Sequence, residues 1–241
     1  MLTTPDHAAG SEKQAGSRDH AGSHEHAASN EPAWRFGQTP SQTVGPFFAY
    51  ALPYSGDAEL LPPHAPGTIR FHGTVFDGDH VEVPDAIIEI WQADGSGNPV
   101  TSRGSLHRDG YTFTGFGRAA VTGAGHFTFT TLKPGAMRTG SAPYILVTVF
   151  ARGLLHHLFT RAYFSDEVAA NATDTFLSGI EPDRVGTLVA VADGNASYRF
   201  DITLQGDGET VFIDYDAASP ASPAETAKAA DARESGERPH D

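Results

Sequence analysis

The residue best suited to binding chemistry is Arg152, which follows the apolar run 144–151 within the stretch APYILVTVFARGLLHH. Its guanidinium is planar, permanently charged and forked, so it pairs well with a carboxylate. A turn after a strand is a place from which such a fork can be presented to a ligand. An arginine that merely ends a strand and bonds a nearby carbonyl would show the same pattern, so both roles remain open.

A second candidate segment is TPSQTVGPFF at residues 39–48. Pro40 and Pro46 hold the backbone extended and out of a helix. Gly45 permits another backbone to approach more closely than any Cβ would allow. The segment therefore predicts an arm that lies across a partner, and a structural arm without ligand contact is the alternative.

His156 and His157 suggest a metal site, but their adjacency argues against one. Neighbouring side chains on an extended strand point to opposite faces, so the two imidazoles cannot bind one ion together. The chain has no cysteine, so any metal would need histidine, tyrosine or carboxylate ligands. We expect both histidines to be surface or partly buried residues.

The elements that must position these residues are β-strands, because the apolar pattern of the central region has mostly a period of two. The predicted strands are 68–76, 86–94, 111–121, 126–132, 144–151, 157–164, 197–204 and 209–215. One short helix is predicted at 165–172, with Ser165 or Asp166 as its cap. The fold class that follows is all-β, a β-sandwich of mostly antiparallel strands with long loops.

The predicted strand 86–94 illustrates how side chains are expected to be arranged within this sandwich. Ile88, Ile90 and Trp91 are predicted to pack in the core. Glu89 interrupts the apolar strand, and Arg118 stands in a neighbouring predicted strand. From their charges alone, we expect these two residues to form a buried or interface ion pair.

Composition divides the chain into three parts and excludes several classes of function. Residues 1–33 and 216–241 contain few bulky apolar side chains and are predicted to be disordered, which leaves one domain at 34–215. The net charge of −14 argues against nucleic acid or anionic lipid as a partner. Because no secretion signal or membrane-spanning run is evident, we expect a cytoplasmic protein.

Six short signatures, taken together and in this order, resemble the intradiol ring-cleavage dioxygenases. They are TPSQTVGPFF (39–48), EIWQAD (89–94), GFGRA (115–119), TLKPG (131–135), VFARGLLHHLFTRAYFSDE (149–167) and GDGETVFIDY (206–215). The resemblance is to the alpha chain of members that pair an alpha with a beta chain of similar β-sandwich fold. It implies that only the beta chain holds the catalytic ferric iron, through two tyrosines and two histidines.

Position by position, the resemblance implies that the iron ligands are missing here. Tyr144 and Leu146 stand where the iron-bearing chain has His-x-His, and Pro99 and Met137 stand where it has tyrosines. Arg161 replaces a glutamine of the surrounding shell. One phenol does not make a ferric site. We therefore expect no metal ligand and no catalytic residue in this chain, with Fe(III) bound by a partner beta chain.

The resemblance also gives roles to the two candidate segments. It implies that Arg152 reaches into the active-site cavity of the beta chain, close to the carboxylate of the substrate. It implies that Thr43, Gly45 and Pro46 line the mouth of that cavity. These four residues are the predicted substrate-binding set.

The implied activity is cleavage of 3,4-dihydroxybenzoate by dioxygen to 3-carboxy-cis,cis-muconate, in a higher hetero-oligomer of alpha–beta pairs. The principal alternative is a stand-alone β-sandwich module that binds a small aromatic or carbohydrate ligand without an enzymatic partner. A self-sufficient dioxygenase is a third possibility, and the missing ligands argue against it.

Overall fold

The structure is a computed structural model that describes residues 39–45, 47–100 and 108–215. Pro46 and the two segments predicted to be disordered, residues 1–33 and 216–241, lie outside these ranges. The strands are β1 Thr68–Phe76, β2 Ile87–Trp91, β3 Phe116–Ala120, β4 His126–Leu132, β5 Tyr144–Phe150, β6 Leu158–Phe164, β7 Val189–Gly194, β8 Ser197–Arg199 and β9 Ile202–Thr203. The helices are α1 Phe48–Ala51 and α2 Val168–Thr173, with 3-10 turns at Leu177–Gly179 and Val185–Leu188.

These strands form two packed layers that share β7. One layer has the order β3-β2-β5-β6-β7, and the other has the order β7-β8-β1-β4 with β9 also paired to β1. Neighbours are antiparallel except for β1 with β8, β1 with β9 and β6 with β7. The prediction of an all-β sandwich with mostly antiparallel strands is therefore confirmed.

The inward-facing side chains of the two layers meet in one hydrophobic core. Strand β5 alternates between buried and half-buried residues, and it contributes Ile145 and Val149 to the core from one layer. Phe71 enters from the other layer, and its ring centroid lies 6.0 Å from those of Phe127 and Phe200. Burying each such side chain contributes roughly 1.5–3 kcal/mol, so the period-two pattern is what holds the layers together.

One predicted strand is absent, and one observed strand was not predicted. Residues 209–215 form no strand; Thr210 and Ile213 donate single backbone hydrogen bonds to the carbonyls of Thr203 and Phe159 instead of building a ladder. Conversely, β7 was not predicted, because Ala190 is its only buried residue and its outer positions face solvent. Such a weak alternation gives little sequence signal.

The helix begins later than predicted, and its proposed caps bind elsewhere. The N-cap of α2 is Glu167, which makes no side-chain capping bond. Ser165 accepts a hydrogen bond from a backbone N–H of β7, while Asp166 pairs with Lys133 at 2.9 Å and accepts a hydrogen bond from Tyr198 at 2.8 Å.

In the described ranges, no helix is both long and apolar enough to cross a bilayer.

The expected ion pair between Glu89 and Arg118 is confirmed. The two residues lie directly opposite each other on β2 and β3, and Arg118 donates from Nε and Nη2 to Glu89 Oε1 at 2.8 and 2.6 Å. Arg118 Nη1 also donates to the carbonyl of Leu52, which ties the segment after α1 to the sheet.

The prediction that Trp91 packs in the core was wrong. Its side chain lies on the outer face of β2 with Glu89, and it is 37% exposed.

The close crossing of β1 with the segment before β9 depends on a glycine. A Cβ on Gly73 would lie 1.8 Å from the carbonyl oxygen of Phe200, so Gly73→Ala forces the backbones apart. We expect this substitution to lower the free energy of unfolding by about 1–3 kcal/mol or more, measured by urea unfolding. Gly123→Ala is the control, because its Cβ would have no atom within 4 Å. Equal stability of the two variants would contradict this account.

Candidate functional site

Arg152 lies in a tight turn that begins where β5 ends. Ala151 is buried, whereas Arg152 and Gly153 are exposed. Gly153 has φ +96°, a conformation that glycine adopts without the steric penalty of a Cβ. The N–H of Leu154 closes the turn on the carbonyl of Ala151 at 3.3 Å. The turn therefore projects the arginine outward from the end of the strand.

Asp85 orients the guanidinium of Arg152. The Arg152 Nε lies 3.2 Å from Asp85 Oδ2, and the Asp85 side chain is only 15% exposed against 57% for Arg152. Asp85 directly precedes Ala86 and β2, and β2 pairs with β5 so that Ile87 faces Phe150. This pairing brings the acid to the base of the turn. The two terminal nitrogens of Arg152 make no hydrogen bond to the described residues and remain available to a ligand.

The arm and the turn meet through one hydrogen bond. Gly153 donates its backbone N–H to Thr43 Oγ1 at 2.7 Å, although 110 positions separate the two residues. Thr43 and Arg152, predicted as parts of one site, are therefore neighbours. Gly45 is exposed, and an added Cβ would meet no described atom within 4 Å. Among the described residues, no close approach requires Gly45 to lack a side chain. Pro46 lies outside the described residues.

The surroundings of the turn are acidic on one side and aromatic on the other. Asp77, Glu82 and Asp85 line a cavity of about 420 Å³ in which Arg152 is the only cation among the lining residues. On the other side, Phe48 of α1 packs against Phe150, with ring centroids 6.0 Å apart and the rings tilted by 54°. Arg152 thus stands at a boundary between negative charge and apolar surface.

The aromatic side continues as a row of rings along the outer face of the sandwich. His157 lies 5.3 Å from Phe150 and 4.6 Å from Phe159, measured between ring centroids, and Phe159 contacts Tyr215. Phe47 and Tyr50, beside the arm, are 77% and 82% exposed. An apolar surface of this kind next to a charged turn is typical of a protein contact. Both neighbouring histidines are exposed, as expected.

The positions expected to lack iron ligands converge on a different cavity. Pro99, Met137, Tyr144 and Arg161 all line one space of about 320 Å³ at the start of β5. The described residues contain no group of three or more His, Cys, Asp or Glu side chains able to hold a metal ion. Ferric iron does not fit this cavity, because Tyr144 is the single phenol among the described lining residues and Arg161 brings a fixed positive charge.

Arg161 is held between two aromatic rings. Its guanidinium carbon lies 4.4 Å from the ring centroids of both Tyr144 and Phe176. Its Nη1 donates to the hydroxyl of Tyr163 at 3.3 Å. Burial disfavours the charged guanidinium, but this hydrogen bond and the nearby phenols outweigh burial and raise the pKa of Arg161. The positive charge is therefore permanent.

Behind Arg161, Tyr163 connects the cavity to a buried carboxylate. Burial raises the pKa of Tyr163 to about 12, so its phenol stays protonated and donates to Asp174 Oδ1 at 3.4 Å. Asp174 also accepts backbone N–H groups from Ala142, Phe176 and Leu177 at 2.8–3.0 Å. These hydrogen bonds to the Asp174 carboxylate hold the loops around the cavity in place.

Three of these residues were not found from the sequence. Asp85 sits in an ordinary turn, VPDA, and Asp174 and Phe176 follow a short helix. Their roles depend on contacts between distant segments, such as Asp174 with Ala142 across 32 positions. Asp85 offered one signal, since an acid just before a strand that pairs with β5 could be expected to approach Arg152.

Comparisons with known proteins identify the family to which the chain belongs. A family model described as Dioxygenase matches residues 45–206. A protocatechuate 3,4-dioxygenase alpha chain of Burkholderia cepacia is 47% identical over 193 residues, which span 73% of this chain and 97% of the relative. A protocatechuate 3,4-dioxygenase alpha chain of Pseudomonas putida is 42% identical over 202 residues, spanning 74% and 96%.

Among solved structures, an intradiol ring-cleavage dioxygenase from Tetranychus urticae aligns with a TM-score of 0.48 at 16% identity, over 70% of this chain and 94% of that chain. The matched family model and both curated relatives span most of this chain. The chain therefore belongs to the dioxygenase family.

Proposed function

We propose that this chain is the alpha subunit of a protocatechuate 3,4-dioxygenase and completes the active-site cavity of an iron-bearing beta chain. The observation that carries the proposal is the 2.7 Å hydrogen bond between Gly153 and Thr43, which joins the arm to the arginine turn. Exposed aromatic residues beside this junction provide a surface for a partner. The two relatives, each named as an alpha chain, support the same role.

In the proposed complex, Arg152 binds the carboxylate of 3,4-dihydroxybenzoate. Its two terminal nitrogens make no hydrogen bond to a described residue, and its Nε pairs with Asp85. A guanidinium whose Nε is already paired can still bind a carboxylate through two parallel hydrogen bonds from its terminal nitrogens. Ferric iron, bound by the beta chain, would supply activation of the catechol toward dioxygen.

The arm has a separate positioning task. Thr43 holds the backbone of the turn, and Gly45 and Pro46 are proposed to line the mouth of the partner's cavity. Because Gly45 has no described neighbour that excludes a Cβ, we infer that its missing side chain matters only against a partner or substrate. The complex is expected to be a cytoplasmic hetero-oligomer of alpha–beta pairs.

The alternative of a stand-alone binding module is not favoured. Both curated relatives are named as subunits of an enzyme and match nearly their full lengths to this chain. Among its described lining residues, the cavity at the start of β5 also offers too few ligands for a self-sufficient ferric enzyme.

Co-expression tests the proposed function directly. We expect the full chain, produced with a beta chain carrying the tyrosine and histidine ligands, to co-purify with it and open the ring of 3,4-dihydroxybenzoate. The full chain produced alone should contain no stoichiometric iron and show no ring opening. Activity and Fe(III) in the isolated chain would refute the subunit assignment.

Removal of the Arg152 guanidinium should weaken catalysis by the complex. The loss of a charge-assisted contact costs roughly 1.5–3 kcal/mol, so Arg152→Ala should lower kcat/KM by about 10- to 100-fold. Ring opening followed by absorbance provides the measurement. Arg70→Ala is the matched control, because Arg70 is an exposed arginine of β1 on the other layer. Equal kcat/KM for Arg152→Ala and wild type would show that Arg152 does not contact substrate.

Loss of the Thr43 hydroxyl should have a smaller effect through the same turn. Thr43→Val removes the acceptor of the Gly153 N–H while keeping the side-chain shape. A hydrogen bond of this kind contributes roughly 0.5–1.5 kcal/mol, so we expect about a 2- to 10-fold fall in kcat/KM. Thr43→Ser keeps the oxygen and should retain activity. If valine and serine behave alike, the hydroxyl does not position the turn.

A further inference from the structure

The cavity at the start of β5 has features of a ligand site that the proposed function does not use. It lies at the opposite end of the strand from Arg152, and its volume of about 320 Å³ falls at the lower end of the range for small-molecule pockets. We propose that this cavity, centred on Arg161, binds a small organic carboxylate.

Arg161 supplies the charge that such a ligand needs. Its guanidinium carbon lies 4.4 Å from the ring centroids of Tyr144 and Phe176, and its N–H groups point outward along the edges of the guanidinium plane, where they can form further hydrogen bonds. Tyr163 occupies one of its five N–H donors, and its buried Nε has no partner among the described residues. No described carboxylate lies within 4.0 Å of the guanidinium. This half-buried positive charge is therefore not neutralised by an ion pair.

The other charged groups leave the cavity positive. Arg138 also lines it and is exposed at its rim. Asp174 is the one acid among the lining residues, and backbone N–H groups and Tyr163 satisfy its oxygens. Two guanidinium groups thus face one carboxylate. At short range this excess of positive charge attracts an anion. The negative net charge of the whole chain has little effect at the cavity, because salt screens charges beyond about 8–10 Å.

The rest of the lining favours a compact organic anion over a bare ion. Pro99, Met137 and Phe176 offer apolar contacts, while Thr139 and Thr175 bring hydroxyl groups that make no side-chain hydrogen bond within the described ranges. A carboxylate attached to one small ring or short chain would match both the charge and the apolar walls. A cation is disfavoured by the same charge that excludes ferric iron.

Benzoate is a suitable probe, because it carries a carboxylate and a small ring but lacks the adjacent hydroxyl groups of a catechol. We would titrate benzoate by calorimetry into the full chain, together with any partner that co-purifies. Arg161→Gln should reduce affinity at one site per chain by at least about tenfold, the loss expected for charge-assisted hydrogen bonds. Arg70→Gln removes the same charge from the other layer and should bind like wild type. A partner binds the same amount of benzoate in each preparation, so its contribution cancels when the variants are compared with wild type.

A second variant guards against effects of Arg161 on folding. Met137→Trp fills the cavity from a half-buried loop position and leaves the arginine intact, so it should also abolish the one site per chain. Undiminished benzoate binding by both variants, or no binding by wild type at that site, would overturn the proposal. Neither result depends on ring opening, so failure here is distinguishable from failure of the proposed function.

Discussion

The register of β5 between β2 and β6 is the constraint on which the rest of the structure depends. The strict alternation of this strand buries Ile145, Val147 and Val149 and leaves Tyr144 and Phe150 on the outer face. A slip of one residue would reverse both sets. Because the strand is seven residues long, its ends lie about 20 Å apart. The arginine turn follows one end and the Arg161 cavity adjoins the other, so a single register positions both sites and keeps them separate.

The two arginines show how the same group is adapted to different tasks by its neighbours. Arg152 is exposed, and one carboxylate holds its inner nitrogen, which limits its motion while leaving its outer edge free. Arg161 is held by aromatic faces instead, with no carboxylate in salt-bridge range among the described residues. Stacking stabilises a guanidinium without neutralising it. The first arrangement suits a contact made across a subunit boundary, and the second suits a site within the chain.

Much of the fold could be predicted because its signal is local. The bounds of β1 and β4 agree with the prediction, since both strands alternate clearly and end in turn residues. Trp91 shows the opposite case: its aromatic character favoured the core, although the alternation that buries Ile90 already placed it outside. The link from Thr43 to Gly153 could not be read from the sequence, because it joins segments that only the assembled sandwich brings together. The approach of Asp85 to Arg152 was signalled only in part: the position of the acid just before β2 is visible in the sequence, whereas the pairing of β2 with β5 is not.

The position of Asp85 has a cost that explains why the turn needs several supports. A carboxylate beside Arg152 competes with any anionic ligand for the guanidinium, and Asp77 and Glu82 add to the negative field. A freely moving arginine would fold back onto these acids. The bond from Thr43 to the turn and the contact of Phe48 with Phe150 hold the backbone in place. Ordering the backbone of the turn before a ligand arrives lowers the entropy lost on binding, so the arm offsets part of the competition that Asp85 introduces.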